Sequence, residues 1–404
     1  MRAPPLVLNV FCCLFALLSI LETSALAQAP AGIIAGVVND PAGAHIAAAR
    51  VQITNRDSGL SRSVATSSDG DYVAPALPPG SYRVTAEATG FGPSERVAAV
   101  EAGTTTTVDF NLAILEATAN VIVTQVAPLM HYEQHQVSGV ITRVQIERLP
   151  LNGRNSLDLA KLEPGVTNPI RGGNNRIFVP VLGAGLQSPP RIGYTRVTVD
   201  GGNINLIGTP GAVLQVSQEA VQEFQVTTVN FDLATSLTTD GAINIVTRSG
   251  GNTFHGSGFY FYRDHNLAAY PGLQRDPTNP DPFFQRAQFG YQIGGPIRKN
   301  RAFFFTNYER NNQRGVFSVQ PLTPDFAPLG GIFPSPFHGN QFNVRFDLRL
   351  TQKHDAFVRY TDDDNGVFGP TFGGLPSAWS RINTRAQQSM VGLTSLLSSN
   401  VVND

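Results

Sequence analysis

Residues 341–350, QFNVRFDLRL, alternate strictly between apolar and polar over ten positions. In an extended chain Phe342, Val344, Phe346, Leu348 and Leu350 fall on one face, and Asn343, Arg345, Asp347 and Arg349 on the other. That is the pattern of a strand that crosses a bilayer, which needs about 9–11 residues with lipid on one side and a polar lumen on the other. The first set is therefore expected to face lipid and the second the lumen. No stretch beyond the N-terminal segment has the about 20 consecutive apolar residues of a spanning helix. Backbone in lipid must satisfy its own hydrogen bonds, so the membrane form open to this chain is a β-barrel.

The neighbouring segments fit that form. QFGYQIGG (288–295) and RAFFFTNYER (301–310) are joined by PIRKN, and 341–350 connects through TQKHD to AFVRYTDD (356–363). Between these hairpins lie polar stretches at 265–284, 311–340 and 364–384, read as long loops. Short turns alternating with long loops describe an outer-membrane barrel. Composition agrees. The chain holds 39 Gly, 28 Pro and 25 Phe against a single Trp, a turn-rich β bias. Charged residues are 15% and the net charge is −1, which gives no basic face for nucleic acid.

Upstream, the pattern changes twice. Residues 32–115 carry short strands separated by turn signals, with Tyr72, Tyr82 and Phe91 as expected core residues of a small β-sandwich. Residues 131–253 mix helical spacing with strands and are expected to form a compact α+β domain. There Val140, Val144 and Ile146–Leu149 mark one short helix ended by Pro150. Ser156 is the expected N-cap of a second. Strands are expected at 196–205, 221–230 and 241–250. Between the two domains, 121–127 reads either as one more strand of the sandwich or as an exposed strand offered to another protein's sheet edge. The stretch 241–264 joins an alternating strand, a break at Ser249–Asn252 and the aromatic run Phe259–Tyr262. It is expected to be the seam between the α+β domain and the wall.

At the N-terminus, Arg2, the apolar run Leu6–Leu21 and Ala25-Leu26-Ala27 form a secretory signal peptide over 1–27. Cys12 and Cys13 lie inside it, so the processed chain is expected to lack disulfides and thiolate chemistry. His131 and His135 stand at i, i+4 but with no third ligand in view. The run Asp362-Asp363-Asp364 is expected to be a solvated loop. There is no G-x-S-x-G nucleophile elbow and no phosphate-binding glycine loop. No catalytic residue, metal or cofactor is expected, and the chain is not expected to be an enzyme.

Two resemblances assemble these parts. GVVNDPAGAHIAAARVQIT and TSSDGDYVAPALPPGSYRVTAEATGF, with a closing Thr-rich strand, resemble the carboxypeptidase regulatory-like domain, a transthyretin-like sandwich. ERLPLNGRNSLDLAKLEPGV, VDGGNIN, QEAVQEFQVTT, GAINIVTRSGGNTFHGSGFYFYRDHNLAA and RAQFGYQIGGPIRKNRAFFFTNYER resemble, in order, TonB-dependent outer-membrane receptors of the Oar-like type. The second resemblance implies a division into a signal peptide (1–27), sandwich (28–117), linker (118–130), plug (131–253) and about the first six strands of a longer barrel (254–404). It implies that Val121, Ile122, Val123, Thr124, Gln125, Val126 and Ala127 contact a periplasmic TonB-type energy transducer. The fold is then mainly β, the location the outer membrane, and the function the gated import or export of a bulky ligand. The rival expectation is a secreted or surface module that binds through its carbohydrate-binding-like sandwich.

Overall fold

The computed structural model describes residues 31–115, 125–126, 138–149, 151–163, 166–167, 181–182, 196–205, 214–227, 241–270, 275–321, 323–369, 376–398 and 401–403. The expected signal peptide, His131, His135 and Val121–Thr124 lie outside these residues, as does Ala127.

The sandwich is built from β1 (Gly32–Asn39), β2 (Arg50–Asn55), β3 (Ser61–Ala65), β4 (Asp71–Leu77), β5 (Gly80–Glu87), β6 (Ser94–Val100), β7 (Thr105–Thr107) and β8 (Phe110–Asn111). One sheet runs β4-β1-β7 with β8 also on β1, and the other runs β3-β2-β5-β6. Period-two alternation puts Ile34, Val38, Val51, Ile53 and Val84 between the sheets. Tyr72 and Tyr82 are buried there too. Their hydroxyls donate to Val108 O (2.6 Å) and Pro78 O (2.7 Å), which satisfies the one polar atom each ring brings into the core. Phe91 packs at the margin of the same core, partly buried. A ninth strand, β9 (Gln125–Val126), joins the outer edge of the second sheet, parallel to β6 at Arg96 and Val97.

The α+β domain starts with β10 (Ser138–Ile141) and α1 (Arg143–Arg148). Val140, expected in the helix, belongs to the strand, and Val144 is exposed. The reason is local. The Gln145 side chain accepts from Thr142 N–H at 2.8 Å, which starts the helix after Ile141 and leaves Ile146 as its buried residue. The expected second helix is a 3-10 segment, Ser156–Leu162. Asn155, not Ser156, caps it by accepting from Leu157 N–H, because the Ser156 hydroxyl is buried and donates to Val216 O instead. After the short ladder β11 (Val166–Thr167) and β12 (Val181–Leu182) come β13 (Arg196–Val199), β14 (Gly202–Asn203), β15 (Val221–Thr227) and β16 (Ala242–Thr247). The single strand expected at 196–205 is thus a hairpin. Asp200 and Gly201 both have positive φ (48° and 86°), as the tight two-residue turn of an Asp-Gly pair demands. The sheet order is β10-β15-β16-β13-β14 over a core containing Ile146, Leu159, Val197, Phe224 and Ile245.

The wall comprises β17 (His255–Asp264), β18 (Phe284–Arg298), β19 (Ala302–Val319), β20 (Gly331–Pro334), β21 (Phe337–Arg349), β22 (His354–Gly369), β23 (Ser380–Leu396) and β24 (Val402–Asn403). It is an open antiparallel sheet in the order β17-β18-β19-β21-β22-β23-β24, with β20 on β19. Much of the sequence expected as long loops at 311–340 and 364–384 is strand. Polar residues such as Asn311, Asn312 and Gln313 hide the alternation, yet their backbones continue the ladder between β18 and β21. Asp362, Asp363 and Asp364 are likewise in β22, not in a loop, and Asp363 is buried.

Candidate functional site: the seam between the α+β domain and the wall

Alternation divides each wall strand between a covered inner face and an open outer face. On β19 the inner residues Phe303, Phe305, Asn307 and Glu309 are all buried. Phe305 joins the core of the α+β domain, and Arg248 of that domain stacks over its ring at 5.0 Å. Burial and the neighbouring Arg143 pull Arg248 down to about 10, still charged at neutral pH. Beside Phe303, Phe305 and Phe357, the buried residues of the inner face are mostly polar. Gln288, Gln292, Asn343, Arg359, Thr361 and Asp363 are each buried against the domain.

Two charge networks tie the layers together. In the first, the Asp-Gly turn presents the buried Asp200 carboxylate to the wall. Arg345 Nη1 approaches Oδ1 at 3.2 Å and Arg359 Nε approaches Oδ2 at 2.8 Å. Thr247 donates to the same carboxylate from its backbone (2.8 Å) and its hydroxyl (2.6 Å). Asp347 closes the balance by pairing with Arg345 at 2.9 Å, so two guanidinium groups meet two carboxylates. Arg359 is fully buried. It also donates to Val199 O (3.1 Å), Thr361 Oγ1 (2.7 Å) and Gln388 Oε1 (2.7 Å). Such satisfaction of the remaining donors is what allows a buried ion cluster to persist.

The second network centres on Arg154, at the end of the 149–155 turn and also at positive φ (59°). It pairs with Glu219 (2.7 Å) within its own domain and with Glu309 (3.2 Å) on the wall. Ser217 donates to the other Glu309 oxygen at 2.6 Å. The guanidinium lies over the Phe259 ring at 4.1 Å and the Phe261 ring at 5.4 Å. The aromatic run therefore divides. Phe259 and Phe261 stand on the side of Arg154, Phe259 half-buried and Phe261 still largely exposed, while Tyr260 and Tyr262 turn to the other side and are exposed. Arg154, Gln215, Glu309, Gln341, Asp363 and Asn365 line a small polar cleft above this network.

Of the residues expected on the lumen side, Asn343, Arg345 and Asp347 stand on the face that meets the α+β domain. Arg349 reaches elsewhere, donating to Ser61 O of the sandwich at 2.8 Å. Of the set expected to face lipid, Phe346, Leu348 and Leu350 are exposed on the other face, and Phe342 and Val344 are half-buried by their neighbours. Gln125 and Val126, within the expected transducer-contacting segment, are paired with β6. Asp200, Arg154, Glu309 and Arg359 were not singled out from sequence. Asp200 was legible in principle, since an Asp-Gly turn between two strands fixes where its carboxylate points.

The segment 33–113 matches the carboxypeptidase regulatory-like domain and 246–337 matches an outer membrane β-barrel domain. The chain is 30% identical over 263 residues to the TonB-dependent transporter Oar of Myxococcus xanthus, covering 61% of this chain and 23% of the relative. It thus spans under a quarter of the length of the curated relative it matches. Among solved structures, the outer membrane transporter YddB of Escherichia coli aligns with a TM-score of 0.49 at 11% identity, over 65% of this chain and 37% of that one. A variant of the ferric enterobactin receptor PfeA of Pseudomonas aeruginosa aligns with a TM-score of 0.46 at 13% identity, over 64% and 38%. The chain carries a carboxypeptidase regulatory-like domain followed by outer membrane β-barrel sequence, and it resembles the Oar-like TonB-dependent receptors of the outer membrane.

Proposed function

We propose that this chain serves a TonB-dependent outer-membrane transporter, in which residues 131–253 plug a lumen walled by 254 onward. The observation that carries this is the two-sided wall. Its inner face is bonded to the α+β domain through Asp200–Arg345–Arg359 and Arg154–Glu309, while its outer face carries Phe346, Leu348 and Val358 exposed. Apolar side chains facing water over such a sheet would be an aggregation hazard; against lipid they are at home.

In this reading the chemistry is gated passage of a bulky ligand, not catalysis. Residues 1–27 direct export, 28–117 form the sandwich, and 118–130 carry the contact for a periplasmic energy transducer. Asn343, Arg345 and Asp347 line the lumen side, and Phe342, Val344, Phe346, Leu348 and Leu350 the lipid side. The outer membrane holds no ATP, so work must enter through a periplasmic strand such as 121–127. No observation favours the rival reading of a glycan-binding module.

The test is a Val123→Cys variant produced in cells with a TonB-type transducer carrying its own cysteine. The expected result is outer-membrane fractionation and an intermolecular disulfide. Recovery in the soluble periplasm, or no crosslink at any position from 121 to 127, would sink the proposal.

A further inference from the structure

The break Ser249–Asn252 sits where three bodies meet. It leaves β16, the last strand of the α+β domain, and enters β17, the first strand of the wall. The third body is the sandwich, through its turn between β2 and β3. Asn252 N–H donates to Asp57 O at 2.8 Å, and its side-chain amide donates to Ser58 O and to Asn300 Oδ1, each at 2.6 Å. Asn300, in the short turn between β18 and β19, returns a bond from its N–H to Asn252 Oδ1 at 2.8 Å. The glycines are what permit this approach. A Cβ on Gly250 would stand 2.3 Å from Phe304 O and 2.8 Å from Gly295 O, and one on Gly59 would stand 2.4 Å from Asn300 Oδ1.

A second sandwich loop reaches the α+β domain directly. Ala102 N–H donates to the buried Glu223 carboxyl on β15, and Gly103, at positive φ, packs on the Gln225 amide. Arg349 adds a third attachment, from the wall to Ser61 O. The sandwich is thus bonded to the α+β domain, to the wall and to the connection between them. A domain that was only tethered by its linker would need none of these.

We propose that the sandwich is a latch on the seam: its 55–61 and 101–104 loops hold β15, β16 and the first wall strands in one fixed relation, and the α+β domain leaves the wall only after the sandwich lets go. The geometry explains why one asparagine is bonded on all sides. Asn252 is the point at which movement of β16 relative to β17 must break bonds to Asp57 and Ser58. The inference rests on the plug reading for its consequence in transport, but the latch itself is a property of the chain alone.

The test uses the complete chain in detergent with no ligand or transducer, so failure of the transport proposal leaves it intact. Asp57 Cβ lies 3.5 Å from a Cβ built on Gly251, within disulfide range. The double variant Asp57→Cys, Gly251→Cys is expected to form that disulfide, mapped by mass spectrometry. Amide hydrogen exchange of β15 and β16 is expected to slow on oxidation. In Asn252→Ala it is expected to quicken by about tenfold, with β2 and β5 of the sandwich unchanged. Failure of the disulfide to form, or the same exchange at β15 and β16 in the oxidised and reduced double variant, would overturn the latch. That comparison within one molecule decides the matter even if Asn252→Ala does not fold.

Discussion

At the scale of single residues, the seam depends on charges whose value comes from pairing. Asp200 accepts two guanidinium groups in a space that admits almost no water. Removing one partner of a buried cluster typically costs about 3–5 kcal/mol, because the other charges are left uncompensated. Asp200→Asn keeps the positive φ that an Asx residue tolerates and removes the charge. It is expected to lower the unfolding free energy of the α+β domain by about 3–5 kcal/mol, while Arg385→Ala, which removes a surface pair with Asp362 on the wall, is expected to change stability by only about 0–1 kcal/mol. Glu223 makes a separate prediction about pH. Burial, with Glu101 nearby, raises its carboxyl from 4.5 to about 8, although the Ala102 N–H pulls the other way. The folded state therefore holds a proton that the unfolded state has lost between those values. Its contribution is complete below about 4.5 and disappears as pH rises through about 8. Stability measured from pH 5 to 9 is expected to fall across that window, and Glu223→Gln is expected to flatten the fall. None of these partners is adjacent in sequence, so the pairings could not be read from it.

At the scale of elements, local chemistry decided some boundaries and ladders decided others. The Asp200-Gly201 hairpin, the Thr142–Gln145 helix start and the turns of the sandwich follow from residues a few positions apart. The extension of β19 to Val319 and of β22 to Gly369 does not, because polar strand residues acquire a preference for extension only when a neighbour strand pairs with them. The pairing of β9 with β6 leads to a prediction. If 121–127 is the transducer contact, part of it is held on the sandwich edge. Gln125→Pro removes an N–H and fixes φ, which is expected to weaken this pairing and so raise the yield of the Val123→Cys crosslink. A lower yield would mean that the paired form is the one the transducer reads.

At the scale of the whole molecule, the outer face is organised in rows that cross the strands. Gly295, Phe304, Phe346, Val358 and Val391 are directly opposed in sequence along one such row. Higher up runs Tyr291, Tyr308, Phe342, Asp362 and Gln387, and immediately above it Phe289, Arg310, Asn340, Asp364 and Arg385. Tyr308 donates to Asn340 at 2.9 Å, across the step from the aromatic row to the charged one. From Phe342 to Leu350 the strand rises about 27 Å, and a tilt near 40° reduces this to about 21 Å, close to the apolar band of an outer-membrane barrel. Val358→Arg, in the apolar row, is expected to cost about 2–4 kcal/mol in folding into lipid vesicles, whereas Gln387→Arg, above it, is expected to cost about 0–1 kcal/mol. Equal costs would refute the placement of the membrane.

What the sequence by itself determined is whatever depends on period and local turn chemistry: the mainly β class, the sandwich at the front of the chain and the alternating strands that follow it. These are short-range properties, since side-chain direction alternates along a strand whatever its partner is. Only the tertiary structure decided what each inward residue meets. Arg345 finds Asp200, Arg349 finds the sandwich, Arg154 finds Glu309 and two phenylalanine rings, and Asn252 finds a turn almost two hundred residues away. Burial makes those contacts decisive, because a charge or amide removed from water must be paired, and the partner is chosen by the packing of whole domains.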